Sequence, residues 1–239
     1  MGVGDIMKKI ALITGVSKGL GSVLAYELSR LGYDIIGTYN TDYEGVMKLK
    51  EKIFTEFEYY KLNLNDTDST NKFISTIKNK YDHIDLFINN AALSLDNSFL
   101  DKTKDEFMKV LEANLVGPFL LIQGLCSIIN GVVINIASTD GINTYSEYNI
   151  DYSASKAGLI NLTKSLSLVL KDIRIYAICP NWMNTETIRS MNQNYLKDEM
   201  NRIGQKELIE PKVIFNKVIE LVNSNKESGS IIVVEDNYE

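Results

Sequence analysis

Short unbroken apolar runs alternate along this chain with longer stretches in which apolar residues recur every three or four positions. The first run, Lys9-Ile10-Ala11-Leu12-Ile13-Thr14, leads into Gly15-Val16-Ser17-Lys18-Gly19-Leu20-Gly21. Val23, Leu24, Leu28 and Leu31 then follow at helical spacing up to Gly32, a natural C-terminal stop. Further strands are predicted over residues 34–39, 58–63, 84–90, 132–137, 173–179 and 229–234. Helices are predicted between them over residues 47–52, 68–81, 104–130, 155–170 and 207–223, with Gly117-Pro118 kinking the third. The strands are continuous rather than alternating apolar runs, which is the pattern of a parallel sheet covered on both faces. No Pro/Gly-rich linker or repeat divides the chain. One α/β domain over residues 1–239 is expected, a doubly wound parallel sheet of about seven strands with its ligand at the carboxyl edge. Residues 1–7 read as an N-terminal extension.

Composition narrows the function classes. With 239 residues, 45% of them hydrophobic, the chain can bury one sizeable core. A net charge of -6 argues against a general nucleic-acid or anionic-membrane surface. Cys126 and Cys179 lie far apart without metal-ligand spacing, and His83 has no cluster to join, so no metal and no structural disulfide are expected. Met1 to Met7 lack a leader pattern, and no later apolar run reads as long enough to span a bilayer. The expectation is a soluble, cytoplasmic protein.

Candidate chemistry gathers at two places. Tyr152 and Lys156 stand four apart at the start of a long helix, so phenol and ammonium share one face. A cation so placed is expected to lower the phenol pKa toward the working range. Ser138 closes the 132–137 strand and is placed to hold a substrate oxygen against that tyrosine. The second place is the glycine loop, with Gly15, Gly19 and Gly21 between a strand and a helix, where a dinucleotide pyrophosphate rests on the helix N-terminus. The second strand ends Gly37-Thr38-Tyr39-Asn40-Thr41 with no acid before Asp42, and Lys18 sits in the loop, which favours NADP over NAD. Asp42 or Glu44 bending back would reverse that preference.

Assembled, these pieces resemble the short-chain dehydrogenase/reductase family from about Lys8 to the C-terminus. Its Thr-Gly-x-x-x-Gly-x-Gly appears at residues 14–21 and its Asn-Asn-Ala-Gly as Asn89-Asn90-Ala91-Ala92. Its helix asparagine matches Asn114, its serine Ser138, its Tyr-x-x-x-Lys Tyr152 to Lys156, and its Pro-Gly segment Pro180-Asn181-Trp182-Met183-Asn184-Thr185. The resemblance implies a Rossmann-like fold and a hydride transfer between a nicotinamide and a carbonyl or secondary alcohol. It implies Tyr152 as general acid or base, Ser138 orienting the substrate oxygen, Lys156 at the tyrosine and nicotinamide ribose, and Asn114 supporting a water relay. Cofactor contacts are implied for Gly15, Ser17, Lys18, Gly19, Leu20, Gly21, Asn40, Asn63, Leu64, Asn90, Ala91, Tyr152, Lys156, Pro180, Met183 and Thr185. Ala92 and Asn181 replace family glycines, and each is expected to test its turn.

Within the family the pattern is most similar to 3-oxoacyl-acyl-carrier-protein reductases. Their basic carrier-binding connection is represented here by the uncharged Cys126-Ser127-Ile128-Ile129-Asn130-Gly131, leaving Lys171 and Arg174 as nearby cations. A carrier-borne 3-oxoacyl thioester and a free small substrate (sugar, polyol or ketone) therefore both stand. A non-catalytic dinucleotide sensor is the rival from another class. Residues 186–206 read as a substrate lid bordered by Trp182 and Tyr145, and the long apolar helix faces imply a homodimer or homotetramer.

Overall fold

The computed structural model describes residues 8–237. Seven strands form one sheet: β1 (Lys9–Ile13), β2 (Tyr33–Tyr39), β3 (Phe57–Lys61), β4 (Ile84–Asn89), β5 (Ile129–Ile136), β6 (Arg174–Pro180) and β7 (Ile231–Val234). Their order is β3-β2-β1-β4-β5-β6-β7 and every neighbouring pair is parallel. The strand order reverses between β1 and β4, which opens a crevice at their carboxyl ends. The helices are α1 (Gly19–Arg30), α2 (Tyr43–Lys50), α3 (Thr67–Lys80), α4 (Lys104–Leu111), α5 (Gly117–Leu125), α6 (Ile150–Val169), α7 (Glu186–Arg189), α8 (Gln193–Ile203) and α9 (Pro211–Asn223).

Continuous apolar strands make sense because each face of the sheet carries its own core. Ala11, Ile13, Leu86, Ile88, Val132 and Ile134 point to one, where α1 contributes Leu24 and Leu28 and α9 contributes Ile214 and Val218. Ile10, Leu12, Phe87, Val133 and Ile175 point to the other, beneath Phe73 and Ile77 of α3 and Leu121 and Leu125 of α5. Ile84 joins Phe87 on this second face despite its odd spacing, because the β4–β5 register slips between Ile84 and Leu86. Fully burying each of the larger of these apolar side chains contributes about 1.5–3 kcal/mol.

Local signals set the helix ends. Asp66 caps α3 by accepting from Asp68 and Ser69, and Thr103 with Glu106 forms a reciprocal capping box at α4. Several predicted boundaries move, among them those of the 47–52 helix, the 132–137 strand and the 155–170 helix, which start at Tyr43, Ile129 and Ile150. The 104–130 helix ends at Leu125, because β5 already begins at Ile129. The late helix starts at Pro211 rather than 207, since Ile209 is extended and bridges to Met183. The closing strand starts at Ile231, after a left-handed Gly229. The kink also differs in kind. A π turn over Glu112–Val116 joins α4 to α5 and brings Pro118 into the first turn of the new segment, where a missing N–H is tolerated.

The joined helix Lys104–Leu125, 22 residues, has by length and composition alone the reach and apolarity to cross a membrane. Its Leu121, Ile122 and Leu125 are nevertheless buried in the second core. The 1–7 extension lies outside the described residues.

Candidate active site

The glycine loop begins where β1 ends. Gly15 and Gly19 adopt φ of 73° and 59°, the left-handed region that glycine tolerates best. Gly21 is required for a different reason: a Cβ there would lie 2.1 Å from the Gly15 carbonyl oxygen. Thr14 and Asn90 brace the loop against the end of β4. Thr14 Oγ1 accepts from the Asn90 and Ala91 amides at 2.9 and 3.0 Å, and Asn90 Nδ2 donates to the carbonyls of Thr14 and Gly15 at 2.9 and 3.1 Å. No side chain caps the start of α1, so its first N–H groups face the crevice uncapped, and such a terminus suits a pyrophosphate. A methyl on Gly19 would come to 3.8 Å from Thr185, which places the segment after β6 directly opposite the loop. The cradle therefore fits a dinucleotide. Leu20 is buried in the core, leaving only its backbone for a ligand.

Toward the β2 end, α2 docks on the loop so closely that a Cβ on Gly45 would lie 2.3 Å from the Ser17 carbonyl oxygen. Ser17, Lys18, Asp42, Glu44, Gly45 and Lys48 line a cavity of about 1050 Å³ there. Asp42 does not bend back over the strand end. Its carboxylate accepts from Gly45 N at 2.9 Å and caps α2. Asn40 is exposed beside it. Asn63 spends its carboxamide oxygen on Asn65 N at 3.1 Å, and Leu64 packs where a Cβ on Gly117 would touch it at 3.0 Å.

Ser138, Tyr152 and Lys156 meet at the carboxyl ends of β5 and β6. Lys156 is buried, donates from Nζ to the Ile136 carbonyl at 2.8 Å, and lies 5.3 Å from the centroid of the Tyr152 ring. Burial lowers its pKa to about 8. The expected lowering of the tyrosine is not found: burial pushes the Tyr152 phenol well above its usual value, the Asp140 charge adds to this, and the Ser138 hydrogen bond opposes it. Burial outweighs the cation, which is tied to a backbone carbonyl and lies over the ring.

Asn114 sits in the π turn with its amide committed. Oδ1 accepts from Leu93 N at 2.7 Å, and Nδ2 donates to Leu93 O at 2.8 Å and Ser155 Oγ at 3.1 Å. It pins the segment after β4 to the helix that carries Tyr152. A buried ion pair does the same lower down, Lys102 Nζ lying 3.0 Å from Asp151 Oδ2. Lys102 also donates to the Leu95 carbonyl, and Asp151 Oδ1 accepts from the Tyr152 amide at 3.0 Å.

The two glycine replacements cause no backbone strain, since no described non-glycine residue has positive φ. Ala92 is exposed, and Asn181 Oδ1 accepts from Thr139 Oγ1 at 2.5 Å. Beyond Pro180 and Met183, Gln205 ties down Trp182 by accepting from its amide at 3.1 Å and donating to its carbonyl at 2.8 Å. Residues 186–206 fold as α7 and α8. Tyr195 on α8 packs edge-on to Tyr148, and Arg202 donates to the Thr144 carbonyl at 3.0 Å, so α8 rests on the segment leading into Tyr152. Tyr145 is exposed. Arg174 is turned inward, donating to the carbonyls of Ser224 and Val222 at 2.7 and 3.1 Å at the end of α9.

Sequence reasoning missed Asp140, Arg202 and the Lys102–Asp151 pair. Asp140 stood two residues after Ser138 and was open to detection. The other partners are brought together by the fold across long separations, with no local signal.

Comparison with known proteins agrees with this geometry. A family model described as short chain dehydrogenase matches residues 9–196. A 3-oxoacyl-[acyl-carrier-protein] reductase FabG from Buchnera aphidicola subsp. Acyrthosiphon pisum is 33% identical over 222 residues, covering 88% of this chain and 90% of the relative. An acetoacetyl-CoA reductase from Shinella zoogloeoides is 28% identical over 221 residues, covering 87% and 90%. A solved structure of a protein assigned as a short-chain alcohol dehydrogenase, from Sinorhizobium meliloti 1021, superposes with a TM-score of 0.84 at 22% identity, covering 96% of this chain and 95% of that one.

Proposed function

The chain belongs to the short-chain dehydrogenase family, and from that premise we propose that it is an NADP-dependent, 3-oxoacyl-[acyl-carrier-protein] reductase-like carbonyl reductase. Membership makes it an NAD(P)-dependent oxidoreductase acting on carbonyl and alcohol groups. The observation that carries the reading is the meeting of Ser138, Tyr152 and Lys156 beside a dinucleotide-shaped glycine cradle.

When bound, the nicotinamide supplies or accepts the hydride. Ser138 holds the substrate oxygen, and Tyr152, protonated at neutral pH because burial raises its pKa, gives that oxygen its proton during reduction. Lys156, just above neutrality at about 8, offers a cation to the tyrosine and to the ribose hydroxyls. Asn114 keeps the cleft wall in register through Leu93 and supports a proton path to solvent. Gly15, Ser17, Gly19, Leu20 and Gly21 would hold the pyrophosphate, Asn40, Asn63 and Leu64 the adenosine end, and Pro180, Met183 and Thr185 the carboxamide side, with Asn90 and Ala91 lining the cleft between. Lys18 would meet the 2′-phosphate, a role supported by the engagement of Asp42 with α2.

Two relatives named for thioester substrates support a 3-oxoacyl thioester. The inward Arg174 leaves Lys171 as the exposed cation for an acidic carrier, and that observation favours, as a second reading, a small carbonyl substrate free of carrier. The reading includes a homodimer or homotetramer, supported by Val116, Leu168 and Val169 exposed on the outer faces of the long helices. It places the enzyme in the cytoplasm, in keeping with two unpaired cysteines. The lid role belongs to residues 186–206.

The test is NADPH consumption with acetoacetyl-CoA, with NADH alongside. Turnover with NADPH, falling by about 100-fold or more in Tyr152→Phe while NADPH still binds, is the expected result. Unchanged turnover in that variant would sink the mechanism, and NADPH binding without turnover would move the substrate to free sugars, polyols and ketones.

A further inference from the structure

Asp140 is the strongest charge acting on Tyr152, and it also acts on Lys156. Its position is fixed from both sides. The Asp140 amide donates to Ser138 Oγ at 3.1 Å, and Thr144 Oγ1 donates to Asp140 Oδ1 at 2.7 Å. The short 3₁₀ turn Thr139–Gly141 is pressed against the Tyr152 helix, since a Cβ on Gly141 would lie 2.6 Å from Ala157 N. A carboxylate is thus built into the wall where Ser138 and Tyr152 hold a substrate oxygen.

The cations that face it, Arg202 and Lys156, favour its charged form and are each engaged elsewhere. On α8, Arg202 spends Nε and Nη2 on both oxygens of Glu199, at 3.1 and 2.6 Å, and Nη2 also serves the Thr144 carbonyl. That fork is neutral as a unit and is already occupied. On α6, Lys156 is the cation that acts on it, tied to the Ile136 carbonyl. From the segment after β4, exposed Asp96 adds a second negative charge felt at Tyr152, and the Cys179 thiol of β6 is neutral, its pKa pushed up to about 12 by burial.

We infer that Asp140 is a specificity-determining residue: it excludes an anionic group next to the reacting carbonyl, so the site takes 3-oxoacyl groups masked as neutral thioesters or esters and turns away free 3-oxo acids. A 3-oxo acid carries its carboxylate one methylene from the ketone, so its charge enters the same wall that holds Asp140 beside Ser138. Two like charges in a partly enclosed site disfavour binding by about tenfold or more. This inference rests on the acyl reading above.

The experiment compares kcat/KM for ethyl acetoacetate and acetoacetate, with NADPH, in the wild type and Asp140→Asn. The wild type is expected to favour the ester, and Asp140→Asn to raise acetoacetate relative to the ester by about tenfold, with the ester as internal control for the fold. An unchanged ratio in a folded Asp140→Asn overturns the inference. Should that variant fail to fold, the wild-type ratio across pH decides. Burial raises the Asp140 pKa, so lowering the pH neutralises it while acetoacetate stays ionised, and the preference for the ester must shrink. A ratio flat with pH overturns the inference. Similar turnover of both substrates overturns it alone, whereas turnover of neither overturns the acyl reading and this inference with it.

Discussion

Breaking the Lys102–Asp151 pair one partner at a time should cost far more than removing both. The two side chains are 3% and 0% exposed, with Nζ 3.0 Å from Oδ2. At that separation and an effective dielectric of about 20, their attraction is about 5 kcal/mol. Desolvating each ion costs several kcal/mol, so the intact pair nets little. A single variant keeps the desolvation and loses the attraction. Lys102→Met strands the Asp151 carboxylate, whose Oδ2 has no well-directed hydrogen bond of its own. Asp151→Asn strands the ammonium, while Asn Oδ1 still accepts from the Tyr152 amide. Each should lose about 3–5 kcal/mol, and the double variant much less than the sum. Urea denaturation at one protein concentration, read from midpoints with slopes held equal, measures the cycle. A coupling energy below about 0.5 kcal/mol would mean that water or backbone motion already neutralises the pair, and the reasoning would fail.

Lys156 makes stability depend on pH. Its folded pKa of about 8 lies below the unfolded value near 10.5, so between those pH values the unfolded chain binds the extra proton and the unfolding free energy rises with pH. Relative to Lys156→Met, the wild type should gain about 2–3 kcal/mol between pH 7 and 10, in urea titrations run side by side; a constant difference would refute the shift. Gly21→Ala, which sets a methyl against the Gly15 carbonyl, should weaken NADPH binding by more than about tenfold in a fluorescence titration; an affinity like the wild type's would mean the loop is not packed as described. Lys18→Glu should lower the NADPH-to-NADH preference by about tenfold or more in kcat/KM, and an unaltered preference would remove Lys18 from the 2′-phosphate site.

The sheet was legible because burial on both faces writes its strands as unbroken apolar runs, and the glycine loop because two of its glycines meet a left-handed turn and the third a close backbone approach. Tyr152, Lys156 and Ser138 were placed together correctly from spacing and strand ends. What spacing could not convey was direction. Four residues along a helix put the ammonium near the tyrosine, yet a carbonyl from β5 draws it over the ring, and the enclosing fold then outweighs it at the phenol. Arg174 misled for a similar reason, since a charged residue at a strand start reads as solvent-facing until the end of α9 is seen beneath it. The π turn was hidden because Gly117-Pro118 drew attention to the proline itself.

The order of the strands also sets the order in which the chain can assemble as it is synthesised. The first three strands form one wing of the sheet and carry the glycine loop, but β1 keeps a bare edge until Ile84–Asn89 emerges to cover it. After that, β5, β6 and β7 add outward in the order they are made. Asn90, which fastens the glycine loop, arrives with the strand that seals that edge. A nascent chain thus fastens the glycine-loop side of its nucleotide cradle in a single step at β4, before Ser138, Tyr152 and Thr185 exist. Protease challenge of stalled chains ending before and after β4 would show an abrupt gain in protection there, and a gradual rise would contradict this order.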